Sequence, residues 1–214
     1  MSALPNRASA AARARRRWSA ALGADPREHA LLAVAEHRPR RVLDVGSGDG
    51  EFAEWCARRL TVEIVAVDQS AWLANPRAGS VGALPYEEGG FDVVAANEVL
   101  PGVADLDAAL ADLARLLRPG GRLVALTASE RYLEPLLAPY GFPFSAEEGA
   151  EALGRHFARV ERREIVGEVV FPSRDAVRGF LRDVDEGAAL DVDTLPEPFR
   201  ATARTAIFVA ERAL

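Results

Sequence analysis

A glycine-rich turn follows a short apolar run in residues 41–52, RVLDVGSGDGEF, and constrains the fold more than any other feature of the chain. Glycine occupies every second position from Gly46 to Gly50. Such a turn joins a buried strand to a helix in parallel α/β sheets. Asp44 stands two residues before the first glycine. Its carboxylate would repel a pyrophosphate and attract an ammonium or a sulfonium, so the turn predicts a ligand that carries positive charge.

Two other glycine-rich motifs are excluded by the same stretch. A Walker loop ends in Gly-Lys-Ser/Thr, and this chain has no lysine, since all 26 of its Lys and Arg residues are arginine. The dinucleotide fingerprint G-x-G-x-x-G requires a glycine at position 51, where the chain has Glu51. The turn is therefore neither a nucleoside triphosphate loop nor a dinucleotide loop.

Length and composition limit the classes of protein that remain. A chain of 214 residues fits one domain, and its net charge of −6 disfavours DNA or RNA as a partner. No apolar run approaches the roughly 20 residues that cross a bilayer, and no signal peptide is recognisable, so we expect a cytoplasmic protein that does not bind membranes. Cys56 is the single cysteine, which excludes an internal disulfide and a multi-cysteine zinc site.

Apolar runs alternate with helical periodicity along the chain. The runs predict strands over residues 42–45, 62–67, 91–96, 122–127, 157–171 and 205–210. Helices are predicted over residues 27–37, after the glycine turn, over residues 105–118, from a capping box formed by Ser145 and Glu148, and over residues 175–183. This alternation predicts an α/β fold with a doubly wound sheet and right-handed crossovers.

Four segments in consistent order resemble the class I S-adenosylmethionine-dependent methyltransferases. They are LDVGSGDG, VEIVAVDQS, ALPYEEGGFDVVAANEVL and LARLLRPGGRLVAL, and the resemblance extends from about residue 41 to residue 127. It implies a Rossmann-like, mostly parallel seven-stranded sheet with helices on both faces and an antiparallel last strand. It also implies S-adenosyl-L-methionine as the cofactor. The domain is expected to cover residues 27–214, behind an N-terminal arm or lid helix over residues 1–26.

The resemblance assigns cofactor contacts to residues at or after the carboxyl ends of the strands predicted over residues 42–45, 62–67 and 91–96. These residues are Asp44, Gly46, Ser47, Gly48, Gly50, Asp68, Gln69, Ser80, Val81 and Asn97. Asp44 would help to hold the ammonium group, and Asp68 would accept hydrogen bonds from both ribose hydroxyls. Ser80 departs from the family, which often has an aspartate there for the adenine amino group. A serine hydroxyl accepts that hydrogen bond without charge assistance and should hold adenine less tightly.

Acceptor contacts are expected from Trp18, Glu98, Tyr132 and Tyr140. Tyr132 and Tyr140 belong to residues 129–144, a segment rich in aromatic residues and proline that either walls a small acceptor or packs beneath a loop. No histidine follows the strand predicted over residues 91–96, where the family often has one, so we assign no catalytic acid or base. A metal site is not expected either. Positioning of an already electrophilic methyl group is enough for transfer to proceed.

Three functions follow from these observations. The first is methyl transfer to an oxygen, nitrogen or carbon atom of a small-molecule acceptor. The second is methylation of RNA or protein through the arginine-rich N-terminus, residues 13–18. The third is a non-catalytic partner protein that binds S-adenosylmethionine. The acceptor and the oligomeric state are left open.

Overall fold

A six-stranded sheet runs through the part of the chain that the computed structural model describes, which comprises residues 25–48, 50–67, 84–137, 139, 143–184 and 188–214. The strand order is β2-β1-β3-β4-β6-β5. The strands are β1 (Arg41–Val45), β2 (Glu63–Val67), β3 (Phe91–Asn97), β4 (Leu117–Ala128), β5 (Arg159–Phe171) and β6 (Phe199–Glu211). β1 to β4 are parallel, and β6 runs antiparallel to both of its neighbours.

The predicted Rossmann-like, doubly wound fold with an antiparallel last strand is therefore confirmed. All six strands that were located from apolar runs are present, although the resemblance implies seven. Within the described ranges no seventh strand is found, and residues 68–83, between β2 and β3, lie outside those ranges. Residues 1–24 of the expected arm also lie outside them, so the predicted division into an arm and a domain stays a prediction.

Helices cover both faces of the sheet, as the alternation predicted. They are α1 (Arg27–Glu36), α2 (Glu51–Arg59), α3 (Leu106–Leu116), α4 (Gly149–Gly154) and α5 (Arg174–Val184). One buried cluster joins α1 and α2 to the sheet and includes Val34 and Cys56. Another joins α3 and α4 to the opposite face and includes Leu113 and Leu153. Every residue of β3 is buried, because this strand has helices on both faces.

The junction between α3 and β4 differs from the prediction. Asp105 caps α3, and its carboxylate accepts a hydrogen bond from the Ala108 N–H at 3.0 Å. The helix ends at Leu116, and β4 begins at the next residue instead of at residue 122. Leu117 pairs with Phe91 of β3 before an irregularity in the ladder. Pro119, Gly120 and Gly121 therefore lie within the strand, because pairing with neighbouring strands extends it beyond its apolar run.

β5 and β6 continue past the carboxyl end of β4 and form a second layer with α5. A separate buried cluster fills the space beneath this extension and includes Phe171, Phe180 and Phe199. Residues 132–137 contribute Tyr132, which is 4% exposed, and three buried leucines to the same cluster. The extension thus builds a wall beside the carboxyl edge of the parallel strands.

Candidate functional site

The glycine turn lies at the carboxyl edge of the sheet, where the strand order changes direction. β1 has β2 on one side and β3 on the other, so the connections leaving β1 and β2 diverge across this edge. A crevice forms at such a switch point, and ligands of open α/β sheets bind there. The resemblance predicted a ligand site at the same edge.

Backbone hydrogen bonds hold the turn against β2. The N–H groups of Gly46 and Ser47 both donate to the Val67 carbonyl, at 2.8 and 3.1 Å, and the Gly50 N–H donates to the Ser47 carbonyl at 2.9 Å. Gly46, Gly48 and Gly50 have φ values of +73°, +59° and +83°. This left-handed region is costly for residues with a Cβ atom, so the backbone itself requires glycine at alternate positions.

Gly46 is further restricted by Val99, which follows β3. A Cβ atom at Gly46 would lie 2.7 Å from Val99 Cγ2 and 2.8 Å from Val99 Cβ. A Cβ atom at Gly50 would have no described atom within 4 Å. The first glycine is therefore needed for packing inside the protein, whereas the space beside the last one is open to a ligand.

The polar side chains buried at this edge include those of Asp44 and Asn97. Asp44 on β1 is 1% exposed and Asn97 at the end of β3 is 5% exposed. Asp44 pairs in register with Ala95, two residues before Asn97, so both side chains belong to adjacent strand ends. Burial and the nearby charge of Asp44 together raise the pKa of the Cys56 thiol to about 12. A buried carboxylate beside a side-chain-free turn is suited to a cationic group.

Glu98 extends the site from β3 towards β4. Its φ of +55° is unusual for a residue with a long side chain, and its N–H donates to the Leu126 carbonyl of β4 at 2.9 Å. Strained backbone of this kind costs about 1–3 kcal/mol and is concentrated at functional sites. The positive φ of Glu98 directs the chain from Asn97 to Val99. The Val99 side chain packs against Gly46 of the glycine turn.

A buried arginine that was not predicted from the sequence joins α1 to α2 beside the glycine turn. Arg27 Nε and Nη2 bind the Asp25 carboxylate at 2.6–3.1 Å, and Nη2 also lies 2.7 Å from Glu51 Oε2. Its guanidinium stacks over the Trp55 ring at 4.8 Å. Burial alone would lower the pKa of Arg27, but the two carboxylates outweigh it and raise the pKa above its ordinary value. Glu51 directly follows Gly50, so this cluster holds the end of the turn.

Beyond β4, half of the predicted capping box is present, because the Ser145 hydroxyl accepts from the Glu148 N–H at 3.1 Å. The acid that contacts the loop after β4 is Glu147. Its carboxylate accepts from the Ser129 hydroxyl at 2.6 Å and from the Glu130 N–H at 3.0 Å. Burial opposes ionisation, yet these hydrogen bonds dominate and hold the pKa of Glu147 below its usual range. The loop after β4 is thereby fixed.

The structure brings together seven of the residues predicted from the sequence at one edge of the sheet. They are Asp44, Gly46, Ser47, Gly48, Gly50, Asn97 and Glu98. Tyr132 lies farther along the same edge, where it lines a cavity between the first turn of α1 and strands β5 and β6. The other predicted residues, Trp18, Asp68, Gln69, Ser80, Val81 and Tyr140, lie outside the described residues, and their roles stay predictions.

The described residues 25–48, 50–67, 84–137, 139, 143–184 and 188–214 contain neither a metal-binding cluster nor a helix able to cross a membrane. No group of three or more His, Cys, Asp or Glu side chains within those ranges could hold a metal ion. Within them, each helix is too short or too polar to cross a bilayer.

The known proteins that resemble this chain include several methyltransferases. A family model described as a methyltransferase domain matches residues 10–167. A demethylmenaquinone methyltransferase of Deinococcus radiodurans is 39% identical over 115 residues, which cover 47% of this chain and 48% of that protein. A malonyl-(acyl-carrier protein) O-methyltransferase of Halorhodospira halophila is 33% identical over 134 residues, which cover 56% of this chain and 44% of that protein. The chain thus spans about half the length of these curated relatives.

One similar solved structure is the 1,6-didemethyltoxoflavin-N1-methyltransferase of Burkholderia thailandensis, with bound 1,6-didemethyltoxoflavin and S-adenosylhomocysteine. It matches 94% of this chain and 79% of its own, with a TM-score of 0.50 and 22% sequence identity. At 22% sequence identity, this structural similarity supports a shared fold.

Proposed function

The chain belongs to the class I S-adenosylmethionine-dependent methyltransferases, and we propose that it transfers a methyl group from S-adenosylmethionine to an oxygen, nitrogen or carbon atom of a small-molecule acceptor. One observation carries the proposal. The buried Asp44 carboxylate, the buried Asn97 amide and a turn of three glycines with positive φ meet at the switch point of the sheet.

These residues fit the cofactor. When bound, S-adenosylmethionine supplies a methyl group that its sulfonium already makes electrophilic. Asp44 provides negative charge for the ammonium group, and the Gly50 end of the turn provides open space beside the backbone. We propose that Asp68, Gln69, Ser80 and Val81 contact the ribose and adenine, in line with the resemblance.

The protein's contribution to the reaction is positioning. The strained Glu98 backbone and the Glu147 network fix the ends of β3 and β4, between which an acceptor can approach the methyl group. Correct placement of two reactants can contribute roughly 7–11 kcal/mol to lowering a barrier. Neither Asp44 nor Asn97 needs to move a proton in this role.

The acceptor is proposed to be a small molecule because two of the relatives are named for one, demethylmenaquinone and 1,6-didemethyltoxoflavin. A third relative is named for a malonyl group carried on a protein. The net charge of −6 also favours a small molecule over RNA. The alternatives of an RNA or protein acceptor depend on the arginine-rich residues 13–18, which lie outside the described residues.

Calorimetric titration with S-adenosylhomocysteine tests the proposal. The wild-type chain should bind one equivalent, and Asp44→Asn and Asp68→Ala should each weaken binding at least tenfold. Asp175→Asn provides the control, because that carboxylate is 92% exposed on α5 and should leave the affinity unchanged. No binding by a folded wild-type chain would refute the proposal. Methyl transfer to a panel of phenols, amines and carbon acids would then separate an enzyme from a non-catalytic binder.

A further inference from the structure

A cavity of about 210 Å³ lies between the first turn of α1 and the pair β5 and β6. Asp25, Glu28 and His29 form its helical side, and Tyr132 lines it from the loop after β4. Ile165 and Gly167 of β5 and Ala203 and Thr205 of β6 also line it. None of these residues belongs to the cofactor contacts proposed above.

Two chains of contacts connect the cavity to the methyl-transfer site. Asp25 binds Arg27, which binds Glu51 beside the glycine turn. Thr205 pairs with Ala128 of β4, the strand that lies beside β3 and Asn97. Two strand spacings separate β6 from β3, a distance of about 10 Å. A molecule whose reacting atom lies near Asn97 could therefore place its other end in the cavity.

Several groups that can accept hydrogen bonds line the cavity, and one of them, the Glu28 carboxylate, supplies negative charge. Two carboxylates, an imidazole, a phenol and the Thr205 hydroxyl can all accept hydrogen bonds there. Arg27 forms a buried ion pair with Asp25, so the charge of the Asp25 carboxylate is compensated and the negative charge of the cavity comes from Glu28. Glu28 lies 3.9 Å from Arg59 in a pair whose side chains are both more than half exposed, which leaves much of the Glu28 charge available.

The size of the cavity agrees with one end of a ligand. Pockets that enclose a whole drug-sized molecule usually measure about 300–1,000 Å³. The aliphatic residues Ile165 and Ala203 provide apolar surface, while the Glu28 carboxylate lies on the α1 side. This arrangement would bind a compact apolar group that ends in a positively charged hydrogen-bond donor, and it would repel a carboxylate.

On the basis of the proposed function, we propose that this cavity binds the non-reacting end of the methyl acceptor and that this end carries an amine. The acceptor would then extend along the carboxyl edge of β3, β4 and β6, with its reacting atom beside Asn97. The pocket would select among acceptors by charge, independently of the cofactor.

Fluorine NMR with a matched pair of probes tests this assignment. The probes are 4-fluorophenethylamine and 3-(4-fluorophenyl)propionate, which share a ring and a two-carbon linker and differ in the charge of the end group. Each is titrated into the full chain with and without S-adenosylhomocysteine. The amine should bind at least tenfold more tightly than the carboxylate.

Two variants and one control locate the binding. Ala203→Phe, which fills the cavity, should abolish amine binding, and Glu28→Gln should weaken it at least fivefold. Glu28 is exposed, so its substitution tests the site even if Ala203→Phe fails to fold. Glu164→Gln, on β5 but paired with Arg204 outside the cavity, should have no effect.

Equal binding of the two probes, or amine binding that Glu28→Gln leaves unchanged, would overturn the inference. Binding of S-adenosylhomocysteine without selective amine binding would overturn the pocket and leave the proposed function standing. Selective amine binding by a chain that does not bind S-adenosylhomocysteine would overturn the proposed function and leave the pocket standing.

Discussion

The Arg27 guanidinium lies 2.7 Å from the Glu51 carboxylate, and this ion pair joins the first residue of α1 to the first residue of α2. Only 8% of the Arg27 side chain is exposed, and Asp25 binds its other edge. Glu51 follows Gly50, whose φ of +83° ends the glycine turn. The position of α1 is thereby coupled to the backbone that we propose to lie against the cofactor.

Replacing Arg27 with methionine should therefore affect both folding and binding. Breaking a buried ion pair by removing one partner costs about 3–5 kcal/mol, and since Glu51 is half exposed we expect about 2–3 kcal/mol here. Urea denaturation should show this loss, and calorimetry should show weaker binding of S-adenosylhomocysteine by at least fivefold. Arg58→Met is the control, because its i,i+4 pair with Glu54 is exposed and worth about 0.3–0.5 kcal/mol. A variant with wild-type affinity would contradict the coupling.

Substitution of two glycines in the turn should separate packing from backbone strain. Gly46→Ala must accommodate both a positive φ and a Cβ atom 2.7 Å from Val99 Cγ2. Gly50→Ala must accommodate the positive φ, but its Cβ atom would contact no described atom within 4 Å. Strain accounts for about 1–2 kcal/mol and overpacking for about 1–3 kcal/mol, so Gly46→Ala should be the more destabilising by about 1–3 kcal/mol. Equal losses in denaturant titrations would show that Val99 moves aside freely.

The Cys56 thiol should be inert in the folded protein. Its side chain has no exposed surface, and burial together with the Asp44 charge raises its pKa to about 12. The thiolate is the reactive form, so reaction with Ellman's reagent at pH 8 should occur only after opening of the fold. We expect one equivalent to react promptly in 6 M guanidinium chloride and less than a tenth of that in buffer over the same time. Rapid reaction of the native chain would contradict the packing.

Local sequence signals predicted the glycine turn, the strand positions and the doubly wound fold. The turn at residues 46–50 was recognisable from the sequence because a positive φ favours glycine, and glycine occupies positions 46, 48 and 50. Asp44 followed from its place at a strand end beside the turn, whereas Asn97 was assigned through the resemblance. The turn, the strands and Asp44 are set by neighbours within a few residues, which is the range over which periodicity and turn chemistry are informative.

Features that depend on distant partners were not predictable in the same way. Arg27 and Glu51 are 24 positions apart, and no local pattern distinguishes Arg27 from the other arginines. β4 begins earlier than its apolar run because Phe91 pairs with Leu117. Tyr132 was expected to wall an acceptor or to pack; it is buried and lines the cavity between α1 and β6, and its contact with an acceptor stays a prediction. The extension of β5 and β6 past β4 contributes Gly167 and Ala203 to this cavity.

The imidazole of His37, which ends α1, should make stability depend on pH near neutrality. Its Nε2 atom is buried and has no hydrogen-bond partner among the described residues. Burial and the charges of Arg122 and Arg118 lower its pKa, against smaller opposite effects of Asp92 and Glu211.

The sign follows from proton linkage. As the pH falls below the ordinary histidine pKa, about 6.5, the unfolded chain takes up a proton that the folded chain resists, so stability decreases towards acid. His37→Gln removes this proton uptake. Between pH 7.5 and 5.5 the wild-type free energy of unfolding should therefore fall more steeply than that of His37→Gln, by at most about 1.4 kcal/mol per pH unit. His29→Gln controls for the loss of an exposed imidazole, and the carboxylates whose pKa is lowered, such as Glu147, act at lower pH. Parallel curves for wild type and His37→Gln in urea titrations would show that His37 is protonated equally in both states.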